Sequence, residues 1–154
     1  MKPYFSLAIF LVPALLQASE APTLKTEEQY REDSYQICYE EWATRGELDR
    51  RMYNYCMEQQ AEAYRDLVHL HQYADQSFYA NTSFPYCSKE WTKRGVTNVR
   101  MTVHCLNQEV EGIRDVMYFR EQYGESEVNA IVGRALAQFG SWRMAAYQVK
   151  RQFE

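Results

Sequence analysis

Cys38, Cys56, Cys87 and Cys105 are the residues of this chain best suited to chemistry, and their spacing narrows what that chemistry is. Structural zinc uses cysteines two to four residues apart, whereas seventeen residues lie between the members of each pair here. No metal site is expected, and an even count reads as two disulfides formed in an oxidising compartment. His69 and His71 are two positions apart, about 200° around a helix, so they cannot chelate one ion together. His104, beside Cys105, stands alone. Glu62, Arg65 and Asp66 offer acids and a base at helical spacing, but such groups on a solvated face are ordinarily charged surface. No nucleophile elbow, zinc-protease pair, phosphate loop or dinucleotide fingerprint occurs. With the thiols committed to bridges, neither an enzyme nor a cofactor is expected.

The most specific signal appears when the chain is slid against itself by 49 residues. Cys38, Trp42, Arg45, Gly46, Arg51, Met52, Cys56, Gln59 and Glu62 then fall on Cys87, Trp91, Arg94, Gly95, Arg100, Met101, Cys105, Gln108 and Glu111. Tyr30 and Ser34 likewise fall on Tyr79 and Ser83. Two copies of one unit are read from this match. A self-contained unit needs its own bridge, so Cys38 pairs with Cys56 and Cys87 with Cys105.

These residues must be positioned by helices. Gly46 and Gly95 follow Arg45 and Arg94 as helix stops, with glycine in the left-handed conformation, and the chain is expected to fold back there. The cysteines of a unit stand eight residues before and ten after that glycine, which places them level on antiparallel helices, about 12 and 15 Å from the turn. Trp42 and Trp91 follow a cysteine by four residues, on the same helix face, where an indole is expected to cover the disulfide. Met52, Cys56, Gln59, Ala63, Leu67 and Leu70 form one helical stripe, repeated from Met101 through Gln108 and Gly112 to Phe119. An amide on such a stripe must find partners. Gln59 and Gln108 are therefore expected to be buried and bonded to a neighbouring helix, which the small Ala63 and Gly112 let approach.

After Gly124 a last helix carries Val128, Ile131, Ala135, Phe139, Trp142, Ala146, Val149 and Phe153 at steps of three and four. It matches the repeat through Trp142 and Arg151, nine apart as Trp42 and Arg51 are. Its stripe is too long to leave in water: it covers the hairpins, or Phe139, Trp142, Val149 and Phe153 form a candidate partner face. The expected fold is all-α, a bundle of about five helices without strands. Two duplicated disulfide-stapled hairpins, units 30–78 and 79–124, are followed by a C-terminal helix over 126–153, all in a single domain over 21–154.

The motif C-x3-W followed by an R-M-x3-C-x2-Q helix resembles that of short, functionally unassigned exported bacterial proteins. The resemblance covers about one arm and one turn of each unit, and implies export but no activity.

The 154 residues carry a formal charge of −4, with 46% hydrophobic, 25% charged and 15% aromatic residues. This composition predicts a folded globular chain, and without a basic cluster nucleic acid is not an expected partner. The apolar run Phe5–Leu16, preceded by Lys2 and followed by small residues, reads as a signal peptide over 1–20, cut between Ala18 and Ala21. As a helix it reaches about 18 Å, short of the roughly 30 Å of a bilayer core, so no transmembrane segment is expected in the mature chain. The expectation is a periplasmic or extracellular, non-enzymatic module that binds a protein or a cell-envelope component. Its 13 tyrosines suit an interface. A carrier of a small apolar ligand is the alternative, with an enzyme third.

Overall fold

The first helix begins at a capping box. Thr26 Oγ1 accepts the Gln29 N–H at 3.3 Å while Gln29 Oε1 accepts the Thr26 N–H at 2.9 Å, so two end amides are satisfied reciprocally. A computed structural model describes residues 23–73 and 78–154, and the leader expected over 1–20 lies outside them. Helix α1 spans Glu27–Trp42 and α2 spans Arg50–Tyr73. A π-helical turn, Tyr79–Ser83, runs into α3, Phe84–Trp91. Then come α4, Val99–Tyr123, α5, Glu125–Phe139, and α6, Trp142–Phe153.

The fold is all-α, as expected, but the turns and the C-terminus differ from the sequence reading. Each hairpin turns through a short antiparallel ribbon: β1 (Ala43–Thr44) pairs with β2 (Glu47–Leu48), and β3 (Thr92–Lys93) with β4 (Val96–Thr97). Arg45 and Gly46 sit between the strands at φ 53° and 86°, and Arg94 and Gly95 at 53° and 83°. Two successive residues at positive φ make the tight turn whose twist suits a two-residue hairpin. The glycines thus turn a ribbon and do not cap a helix. The helices stop earlier, at Trp42 and Trp91, whose carbonyls accept the Asp49 and Asn98 N–H groups across the base of each ribbon.

Both disulfides join the cysteines within a hairpin, Cys38 to Cys56 and Cys87 to Cys105, each with a Cα separation of 5.7 Å. The single helix expected over 126–153 is two helices. Gly140, at φ 64°, ends α5 in the left-handed conformation, and the buried Ser141 starts α6 by accepting the Met144 N–H on its side chain. The chain therefore folds back once more.

Helix α4 packs against α2, α3, α5 and α6. Its first half contributes Val99, Val103 and Leu106 to a core shared with Tyr30, Leu67 and Phe84, while its second half contributes Val116 and Phe119 to a core shared with Val128, Trp142 and Val149. Val99, Val103 and Leu106 lie on one helical stripe and Val116 and Phe119 on the adjacent one, so both stripes are covered by neighbours.

Candidate functional site

Two buried polar side chains join successive hairpins. Gln60 is 1% exposed, and from α2 its Oε1 accepts the Arg100 N–H at 3.1 Å while its Nε2 donates to Asn98 Oδ1 at 3.1 Å, both at the start of α4. Glu109, 49 residues later and also 1% exposed, does the same from α4 to the start of α6. Its carboxylate accepts the Ser141 hydroxyl at 2.6 Å and the Trp142 N–H at 2.7 Å. Free amides at a helix start favour an acceptor, and a negative one most. Asp49, at the start of α2, accepts the Arg51 and Met52 amides on its own Oδ1, as Asn98 accepts the Met101 amide and Ser141 the Met144 amide. The α6 match to the hairpins is consequently not Trp142 with Arg151. Ser141, Arg143 and Met144 take the places of Asn98, Arg100 and Met101 at the helix start.

The amides expected in the core, Gln59 and Gln108, are partly exposed instead. Gln59 donates to Glu62 at 3.5 Å, and Gln108 pairs with His104 and accepts from Arg143. Gln59 and Gln60 stand three and four residues after Cys56, both compatible with one helical stripe, and packing against α4 selects the second. Gly112 does admit a neighbour: a Cβ there would lie 2.6 Å from the Arg143 backbone nitrogen. Trp91 packs beside the first core and lines a small recess with Cys105, whereas Trp42 lines an open hollow at the first ribbon with Leu48 and Asp49.

Phe139, Trp142, Val149 and Phe153 do not form a partner face. Trp142 and Val149 are buried, Phe139 and Phe153 partly so, and all four belong to the second core, because the reversal at Gly140 folds the stripe onto α4 and α5. Helix α1 is tied to the second ribbon by Asp33, whose Oδ2 pairs with the Lys25 ammonium and accepts the Thr97 N–H at 2.9 Å.

Between α1 and α2 runs a cleft of about 560 Å³. Tyr30, Met57, Ala61, Tyr64 and Val68 line it with an apolar surface, and Glu27, Arg31 and Arg65 add charge. Burial, reinforced by the Asp33 charge, pushes the Tyr30 phenol up to about 12. In the second hairpin Tyr79, Ser83, Leu106, Val110 and Ile113 stand 49 residues after Tyr30, Ser34, Met57, Ala61 and Tyr64, and they line a recess of only about 190 Å³. Leu70 and Phe78 complete it, and none of its described lining residues is charged. Among the described residues no three of His, Cys, Asp or Glu come together as metal ligands.

This architecture defines an all-α protein of two disulfide-stapled helical hairpins and a cysteine-free third, each seated on the next through a buried polar side chain, in which no described helix is long and apolar enough to cross a membrane. Compared with known proteins, the chain matches no family model, no curated protein and no solved structure.

Proposed function

We propose that this chain is an exported, non-enzymatic helical module, periplasmic or extracellular, that binds another protein or a cell-envelope component along its first hairpin. The observation that carries the proposal is the α1–α2 cleft. It has an apolar floor and charged margins, and the charge of Arg31 and Arg65 is absent from the smaller recess of the second hairpin. Around the same hairpin Tyr35, Tyr39 and Tyr55 are 59%, 46% and 53% exposed. Tyrosine supplies apolar area with a polar tip and little conformational freedom to lose, which suits a surface that a partner covers. Two disulfides with no free cysteine support a compartment outside the reducing cytoplasm.

The test is site-specific photocrosslinking in cells that express the chain. A photoreactive residue at the exposed Ala61 in the cleft is expected to give a discrete adduct, lost when Arg31 and Arg65 are both changed to Glu. The same residue at Tyr147 on α6 should give none. Identical adducts from both positions, or none from Ala61, overturn the reading.

A further inference from the structure

The recess of the second hairpin differs from the first cleft in its hydrogen bonding as well as its size. In α1 the Ser34 hydroxyl donates to the Tyr30 carbonyl at 2.6 Å, one helical turn back. In the second hairpin the corresponding stretch is the π turn Tyr79–Ser83, and the Tyr79 carbonyl accepts the Phe84 N–H. Pro85 gives a physical cause: a proline ring in a regular α-helix collides with the carbonyl four residues before it, here that of Asn81, and a wider turn relieves the collision. The Ser83 hydroxyl and the Tyr79 phenol are then both buried with no hydrogen-bond partner among the described residues. Tyr79 is 5% and Ser83 4% exposed. Orphaned buried hydroxyls are costly, and two of them on residues lining one recess are unusual in a folded protein.

We propose that this recess is a binding site for a compact, uncharged molecule with an apolar body and an oxygen acceptor, such as an aryl ketone or ester, whose oxygen takes a hydrogen bond from Tyr79 or Ser83. The volume of about 190 Å³ sets the size, since an apolar cavity of about 150 Å³ suffices for benzene. Leu70, Leu106, Val110 and Ile113 supply apolar walls. Among the described residues no cation lines the recess, which disfavours an anion, and burial holds the Tyr79 phenol in its neutral donor form. The recess shares no lining residue with the α1–α2 cleft, and its test reads small-molecule binding rather than partner binding there.

Acetophenone and ethylbenzene, nearly equal in shape and differing in the carbonyl, are the probes. Titrated against the oxidised protein and followed by the methyl NMR signals of Leu106, Val110 and Ile113, acetophenone is expected to bind about tenfold more tightly. Tyr79→Phe or Ser83→Ala, or the two together, should erase that preference while ethylbenzene affinity stays within about twofold. Circular dichroism on each variant identifies those that fold, and Ser83→Ala, which deletes one oxygen, serves if Tyr79→Phe does not. Equal affinity for the two probes, no shift at those methyls, or a preference that survives in the folded variants overturns the proposal.

Discussion

The Glu109 carboxylate accepts the Trp142 N–H at 2.7 Å in a site where Glu109 is 1% exposed and Trp142 6%. A charge this deep is tolerated because the start of α6 surrounds it with donors: the Ser141 hydroxyl, the Trp142 amide and the Arg143 amide at 3.4 Å. The positive end of the helix dipole adds to them. The same contact that satisfies the carboxylate fixes where the last hairpin sits.

Removing either buried linker should therefore loosen the stack. Glu109→Ala is expected to cost about 3 kcal/mol, since it deletes hydrogen bonds to a charged acceptor and leaves amides uncapped, and Gln60→Ala about 1 to 3 kcal/mol. Gln59→Ala should stay within about 0.5 kcal/mol. Urea unfolding of the oxidised proteins checks the order, and a Gln59 effect as large as that of Gln60 would contradict the register of α2.

Two glycines should respond in opposite directions. Gly112→Ala pushes a methyl to 2.6 Å from the Arg143 backbone, and because backbone cannot rotate away, a loss of about 3 kcal/mol or more is expected. Gly133 lies within α5 with nothing within 4 Å of an added Cβ, so Gly133→Ala should stabilise by about 0.5 to 1 kcal/mol. Thermal unfolding of the pair, side by side, separates helix propensity from packing.

Stability should fall at alkaline pH through Tyr30. Its phenol is pushed up to about 12 by burial from an ordinary value of 10.0. The contribution is thus intact below pH 10 and lost between about pH 10 and 12, where the unfolded chain ionises and the folded chain does not. Tyr30→Phe should flatten part of that decline. Unfolding free energy measured from pH 8 to 12 for both proteins checks the sign.

The disulfides act locally. Peptide mapping without reduction should recover Cys38 linked to Cys56 and Cys87 to Cys105. Replacing one pair by serine is expected to cost about 3 kcal/mol for a loop of this length. The Cys87–Cys105 pair should be the more damaging to lose, because both its cysteines lie in the first core whereas Cys38 and Cys56 do not. Urea midpoints of the two double variants decide this.

Helices, their pairing into hairpins and the two bridges were legible in the sequence because they depend on short-range regularities: apolar residues at helical steps, cysteines level across a turn, and a match at a constant offset of 49. The ribbons at Arg45–Gly46 and Arg94–Gly95 were not, because a left-handed glycine ends a helix as readily as it turns a strand pair. Nor was the choice of Gln60 over Gln59: three and four residues after Cys56 both lie near one face, and the arrival of α4 decides which amide is enclosed. The break at Gly140 was not legible either, because the apolar stripe keeps its helical steps across it and a single glycine is tolerated within a helix. Only the backbone reversal turned Trp142 from a candidate contact for a partner into core. Local propensity and periodicity set which segments are helical, whereas the partners of the two buried linkers lie 32 to 40 positions away, as from Gln60 to Arg100 and from Glu109 to Ser141. Such contacts leave no periodic trace, and only the packed chain selects them.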